Sequence, residues 1–197
     1  MADGYKSLEA NPEAGSLTHA EWLGIILEHE KTLREQKRFE TRARAAHLRH
    51  PASVEDVDYR AHRGLACALG QKACREDLSV LYYRVPRLFA ALGLARGDGR
   101  YAKLLKQLAR AKLLILDDWG PEPLTAEQAR DLLEIVEDRY DAGSVLITSQ
   151  VPVDRWYEMI GTPTLADAVL DRLVHNAYRI DLSGHSLRKH RPADHPA

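Results

Sequence analysis

Residues 112–120 read KLLILDDWG, and this stretch decides how the rest of the chain is interpreted. Four large apolar residues in succession, 113–116, predict a parallel strand that is buried on both faces. Asp117 and Asp118 follow directly, and Gly120 supplies a turn. Open α/β sheets bind their ligands beyond the carboxyl ends of the strands, so we expect both carboxylates at a ligand-binding edge.

The paired carboxylates have two interpretations. An apolar strand that ends in two acidic residues is typical of the Walker B segment of P-loop nucleoside triphosphatases. In that segment the first carboxylate holds Mg²⁺ and the second polarises the attacking water. The same residues also fit an ordinary core strand whose acidic end caps the next helix. The stretch alone does not choose between the two.

The composition limits the classes of function. The chain has 197 residues, 45% of them hydrophobic and 29% charged, which fits one core domain with a smaller appendage. Its net charge of -1 gives no general affinity for nucleic acid, so any DNA contact must come from a local basic patch. The sequence has no run of 18 apolar residues and no signal-peptide pattern after Met1. We therefore expect a cytoplasmic protein without a membrane partner.

Strands and helices alternate along most of the chain. Segments 78–84, 113–116, 145–148 and 178–182 predict strands, and the amphipathic segments between them predict helices. This order predicts an α/β fold with a parallel sheet, preceded by a helical N-terminal region. We expect a helical region for oligomerisation or DNA contact at residues 1–65, the α/β core at 66–183, and a basic flexible tail at 184–197.

The predicted N-terminal helix is rich in basic residues after Glu35. Lys37, Arg38, Arg42 and Arg44 outnumber the acids in this part, which is typical of a helix that contacts phosphates. The glutamates among them also fit a solvated helix face that binds nothing. Both interpretations stay open at this point.

Four sequence blocks, at residues 113–120, 146–150, 168–173 and 183–188, together resemble the IstB-like branch of the AAA+ ATPases. These are the transposition helper proteins of insertion sequences, and they are related to DnaC-type helicase loaders. The resemblance covers about residues 67–189. It implies a P-loop NTPase-like parallel sheet, ATP and Mg²⁺ as cofactors, and DNA and a cognate transposase as partners. In intact relatives it also implies homo-oligomers.

The resemblance gives five residues a role. Asp117 looks like the carboxylate that coordinates Mg²⁺, and Asp118 lies at the position of the catalytic acid. Gln150 looks like the sensor residue after the next strand, and Arg172 is similar to the arginine that reaches a neighbouring subunit's nucleotide. Arg188 is a candidate phosphate contact. The alternatives are a surface salt bridge for Arg172 and a plain strand end for Gln150.

One part of the family pattern is missing. P-loop chemistry needs the motif G-x-x-x-x-G-K-[ST], and this chain contains no Gly-Lys dipeptide. In the family this loop stands before the helix that resembles residues 66–75, whereas Gly64 here runs straight into that helix. We interpret the junction as an internal deletion of roughly 30 residues, the size of a strand, a loop and a helix start.

This deletion would remove the Walker A strand, which in the family lies between the strands at 145–148 and 178–182. ATP binding and hydrolysis are then expected to be impaired, and whether the chain is an enzyme stays open. Three functions are compatible with the sequence: an impaired transposition ATPase, a non-catalytic module for DNA binding or assembly, and a decayed fragment.

Overall fold

A computed structural model of the protein describes residues 5–6, 15–55, 64–120, 122–175 and 177–182. Within these residues, helices and strands alternate after one long N-terminal helix. The helices are α1 (His19–Ala46), α2 (Leu65–Arg75), α3 (Val85–Gly97), α4 (Tyr101–Arg110), α5 (Ala126–Arg139), α6 (Trp156–Ile160) and α7 (Pro163–Val174). The strands are β1 (Val80–Arg84), β2 (Leu113–Trp119) and β3 (Ser144–Ser149), and a short 3₁₀ turn covers Val153–Arg155.

The three strands form one parallel sheet in the order β1-β2-β3. Val80 pairs with Leu113 and Arg84 with Asp117, while Leu113 also pairs with Ser144 on the other side. The predicted parallel α/β sheet is therefore confirmed. Because β2 is the central strand, its apolar residues Leu114, Ile115 and Leu116 are completely buried.

The sheet separates two hydrophobic clusters of unequal size. Leu114 and Leu116 point to a large cluster, which also contains the buried faces of α3, α4, α5, α6 and α7. Ile115 points to the opposite face, where a smaller cluster lies under α2 and the end of α1. This alternation follows from the two-residue period of a strand. Cys67 and Cys74 belong to the smaller cluster as buried, free thiols.

The predicted strand at 178–182 is wrong. Residues 177–182 have no regular secondary structure, and the exposed fractions of Tyr178 and Ile180 are 101% and 65%. A strand needs a neighbour that pairs with its backbone groups. Within the described residues the sheet consists of β1, β2 and β3 alone, and segment 178–182 pairs with none of them.

The amino end of the sheet is held by a buried arginine. Arg139, at the end of α5, is 1% exposed, and its guanidinium donates to Ala109 O at 3.5 Å and to three closer backbone oxygens. These are Leu108 O at 2.5 Å, Ala111 O at 2.8 Å and Ser144 O at 2.6 Å. One side chain thus connects the end of α4 to the starts of β2 and β3.

Helix α1 extends well beyond the core. Thr18 and Glu21 form a capping box at its start, yet Ala46 at its end is its only fully buried residue. The apolar side chains of Leu23, Leu27 and Leu33 are each about half exposed. No helix in the described part of the chain is both long and apolar enough to cross a membrane.

Candidate functional site

The carboxyl edge of the sheet brings together the ends of all three strands. Parallel strands end at the same edge, so Arg84 of β1 lies opposite Asp117 of β2, and β3 ends beside them at Ser149. This is the position at which open α/β sheets bind ligands. The expected placement of Asp117 and Asp118 beside the end of the next strand is therefore observed.

Both carboxylate oxygens of Asp117 already accept hydrogen bonds from hydroxyl groups. The Tyr82 hydroxyl donates to Oδ2, and the Thr148 hydroxyl donates to Oδ1. Burial of the Tyr82 ring, together with this bond to a carboxylate, raises the pKa of Tyr82 well above its usual range. Tyr82 therefore stays protonated, and it remains a donor to Asp117 at any physiological pH.

Asp118 is turned away from the strand by its backbone. Its φ of 58° is left-handed, and the pairing of β2 with β3 is irregular between Leu116 and Trp119. The Asp118 amide donates to the Thr148 hydroxyl at 3.2 Å. Its carboxylate accepts from Arg84 Nε at 2.6 Å, and this hydrogen bond is the main reason that the pKa of Arg84 is raised. The negative charge of Asp118 is thus matched by a neighbour in the same chain.

Three of these contact residues were not singled out in the sequence: Tyr82, Arg84 and Thr148. Each is a common residue type in a strand, and none stands in a recognisable motif. A signal was available only in their position, since each lies in the last three residues of a predicted strand. The register between strands decides which of them meets Asp117, and that register is not visible in the sequence.

The other predicted site residues are not brought to this pair of carboxylates. Gln150 follows β3 at the same edge and is exposed. Arg172 lies on α7 and donates to Ala168 O and to Glu137 Oε1, both at 2.9 Å. Glu137 belongs to the end of α5 that Arg139 fixes at the amino end of the sheet, so Arg172 lies on the far side from Asp117. Its contact with Glu137 is a surface salt bridge, and the predicted role of Arg172 towards a neighbouring subunit stays a prediction. Arg188 lies outside the described residues.

The described residues do not form a metal site at this edge. Nowhere in the described ranges do three or more His, Cys, Asp or Glu side chains converge as metal ligands would. Asp117 has both oxygens engaged, and Asp118 is paired with Arg84. Each of the two carboxylates at this edge thus has partners within the chain.

The basic residues of α1 divide into two sets. Arg38 and Arg42 reach across to Asp77, with nitrogen–oxygen distances of 3.4 and 2.6 Å. Lys37 and Arg44 are exposed, and within the described part of the chain they form no ion pair. They are seven residues apart, which places them on the same face of the helix.

The sequence matches the family described as IstB-like ATP binding protein in two segments, residues 1–65 and 61–194. The chain belongs to this family. The two matched segments overlap at residues 61–65, which end at the first residue of α2, and together they cover almost the whole chain.

Several curated relatives of this IstB-like protein carry insertion-sequence names. A protein of Sinorhizobium fredii described as an insertion sequence ATP-binding protein is 53% identical over 222 positions, covering 96% of this chain and 91% of the relative. A second one from the same organism is 45% identical over 228 positions, covering 98% and 92%. Both alignments are longer than the 197 residues of this chain.

A solved structure also aligns with the IstB-like chain. The crystal structure of the DnaC helicase loader matches with a TM-score of 0.44 and 16% sequence identity, over 66% of this chain and 95% of that one.

Proposed function

We propose that this IstB-like protein is a transposition helper that has lost its phosphate-binding loop, so that ATP binding and hydrolysis are impaired. The observation that carries the proposal is the junction at residues 61–65, where the family match divides into two segments. The alignment to the first relative has 222 positions against 197 residues here, so at least 25 residues of that relative have no counterpart. An internal deletion at the junction accounts for both findings.

The residues at the start of α2 support the loss of phosphate binding. In a P-loop, backbone amides and a lysine surround the phosphates, and a Ser or Thr hydroxyl binds Mg²⁺. Here the first turn of α2 reads LACA after Gly64, and the helix start has no side-chain cap. None of these side chains can supply the positive charge or the hydroxyl group.

The contacts of Asp117 and Asp118 also support the loss of nucleotide binding. A bound Mg²⁺ would have to compete with two hydroxyl donors at Asp117, and Asp118 is held by Arg84 rather than directed at a water. Without fixed donors around the phosphates, the electrostatic stabilisation on which phosphoryl transfer depends is lost. We therefore assign Asp117 and Asp118 no catalytic step in this chain.

A segment insertion tests the nucleotide part of the proposal. The protein is titrated with fluorescent ATP and Mg²⁺, before and after a segment that contains the motif G-x-x-x-x-G-K-[ST] is inserted at residues 61–65. We expect no saturable binding by the chain as it is and binding with hydrolysis after insertion. The matched control is the same insertion with the motif lysine changed to alanine. Tight binding by the uninserted chain would contradict the proposal.

We further propose that DNA binding is the activity that remains, carried by α1. The helix projects beyond the core, and Lys37 and Arg44 present two unpaired charges on one face of it. Arg38 and Arg42 contribute less, since Asp77 already neutralises part of their charge. Contacts of this kind are made to phosphates, so binding should be weak, tolerant of sequence and steeply dependent on salt.

A matched pair of double variants separates a DNA-binding face from a solvated one. Lys37→Ala with Arg44→Ala removes two unpaired charges, whereas Lys31→Ala with Arg34→Ala removes two charges that are paired with Glu28 and Glu30 on the same helix. We expect the first variant to bind duplex DNA about tenfold more weakly, with a salt slope lower by about 2, and the second to change little. Equal effects in both variants would mean that DNA binding depends on the total charge of the helix and not on the face with Lys37 and Arg44.

The remaining partners follow from the same proposal. An IstB-like helper with these properties would act in the cytoplasm beside a cognate transposase, as an assembly factor rather than an ATPase. Co-purification with the transposase of the same insertion sequence, without added ATP, is the expected result. Failure to bind either DNA or transposase would favour a decayed fragment.

A further inference from the structure

The outer edge of β3 offers unused backbone groups. Within the described residues, β3 pairs only with β2. The Ser144 amide donates to Lys112 O at 2.9 Å, which directs residue 144 towards β2. Along a strand, the backbone N–H and C=O groups of successive residues point to opposite sides. The N–H and C=O groups of Val145 and Ile147 therefore point away from β2.

The side chains of β3 are also incompletely covered. Val145 and Ile147 face the large hydrophobic cluster and Leu146 faces the small one, yet all three are only partly buried. The neighbouring residues of β2 are 0% exposed. The strand SVLITS contains no charge and no proline, and these are the usual means of protecting an edge from pairing. By contrast, β1 at the other edge contacts α1, and its Val80 and Tyr82 are 3% and 8% exposed.

The occupant of this edge must be a strand that is apolar on both faces. The segment 178–182, YRIDL, does not meet this condition, because Arg179 and Asp181 would both point to one of the two hydrophobic clusters. Strand β3 itself does meet it, with Val145 and Ile147 on one face and Leu146 on the other. We propose that two copies of this chain pair through β3 in antiparallel orientation and form a continuous six-stranded sheet.

The register follows from symmetry and from the direction of the backbone groups. A two-fold axis perpendicular to the sheet keeps each face on the same side, so residues of equal parity lie opposite each other. With the axis at Leu146, Val145 lies opposite Ile147 of the second copy, and these two residues exchange two backbone hydrogen bonds. Leu146 then lies opposite Leu146 of the second copy as a non-hydrogen-bonded pair. Both hydrophobic clusters then continue from one copy to the other across the dimer interface.

The proposal does not depend on the nucleotide or DNA assignments, and a proline–alanine pair tests it. Ile147→Pro and Ile147→Ala both remove the branched side chain of isoleucine, but only proline removes the outward N–H. By light scattering or sedimentation, we expect dimers for the original chain and for Ile147→Ala. For Ile147→Pro we expect a dissociation constant about 100-fold higher, because each copy loses one donor and two bonds are lost per dimer. Circular dichroism checks that each variant is folded.

A cysteine cross-link tests the register directly. The Cα atoms of a non-hydrogen-bonded pair are about 4.5 Å apart, within the range of a disulfide. Under mild oxidation Leu146→Cys should therefore give a covalent dimer. The control Val145→Cys should not, because residue 145 lies opposite residue 147. A monomeric original chain, a dimer that persists in Ile147→Pro, or equal cross-linking by both cysteine variants would overturn the proposal. If copies paired head-to-tail, β3 with β1, neither cysteine variant would cross-link. Absence of cross-linking in both variants would therefore also overturn the proposal.

Discussion

The two ends of the sheet hold charged side chains in opposite ways. At the amino end, Arg139 is 1% exposed, and backbone oxygens of three segments accept from its guanidinium. At the carboxyl end, Asp117 and Asp118 are only partly buried, and their partners are the side chains of Tyr82, Thr148 and Arg84. A charge that is satisfied by backbone is part of the fold, whereas charges held by exchangeable side chains can be altered without breaking it. The amino end should therefore be sensitive to substitution and the carboxyl end tolerant.

The largest effect is expected for Arg139→Ala. The substitution removes the donor to the carbonyls of Leu108, Ala111 and Ser144, and the bonds to Leu108 and Ala111 are buried. We expect a loss of about 3–5 kcal/mol in the free energy of unfolding, measured by urea denaturation. Arg130→Ala on the exposed face of α5 is the control and should cost less than about 0.5 kcal/mol. Equal losses in the two variants would mean that Arg139 does not fix the amino end.

Gly143→Ala should produce the next largest effect at the same end. A Cβ at this position would lie 2.7 Å from Arg139 Nη2 and 2.9 Å from Ala111 O, so the guanidinium would have to move. We expect a loss of about 1–3 kcal/mol in the same denaturation experiment. At Gly93, in the interior of α3, an added Cβ meets nothing within 4 Å. Gly93→Ala should therefore be neutral or stabilise the protein by about 0.5–1 kcal/mol.

The same contrast explains what the sequence could predict. The strands at 113–116 and 145–148 were identifiable because apolar runs of that length are buried between two layers of helices. Arg139 was not identifiable as a buried residue, because a charged residue near a helix end is typical of a solvated position. The position of the paired carboxylates was predictable from the strand that precedes them, but their partners depend on strand register. The strand at 178–182 has the right composition and fails to form, because pairing depends on a neighbour and not on propensity.

Tyr82→Phe tests the carboxyl end through pH. The pKa of Tyr82 is raised in the folded protein by burial and by its bond to Asp117. Its contribution to stability is complete below about pH 10, the unfolded pKa of tyrosine, and is lost as the pH rises towards the folded pKa. Above pH 10 the free energy of unfolding of the original chain should fall with pH. In Tyr82→Phe this slope should be smaller by about 1.4 kcal/mol per pH unit.

At neutral pH the same variant should lose only about 1 kcal/mol, the usual value of one hydrogen bond. Tyr140→Phe serves as the control because the Tyr140 side chain is 55% exposed. An alkaline slope that is unchanged in Tyr82→Phe would show that the hydroxyl does not hold Asp117 in solution.

The smallest effect on stability is expected for Asp118→Asn. This variant tests whether Asp118 contributes to ATP turnover independently of its contribution to stability. Asp118 has a φ of 58°, a conformation that asparagine adopts as readily as aspartate, so the substitution removes the charge without straining the backbone. The pair with Arg84 is partly exposed, with side-chain exposures of 39% and 27% for Arg84 and Asp118, so solvent weakens it. We expect a change of less than about 1 kcal/mol in the free energy of unfolding. If the phosphate-binding loop is lost as proposed, ATP turnover should be equally low in both proteins, because an acid at this position acts only on a phosphate that is held in place. Turnover in the original chain that disappears in Asp118→Asn, at unchanged stability, would mean that another segment binds the phosphates and that the carboxyl end is still a working site.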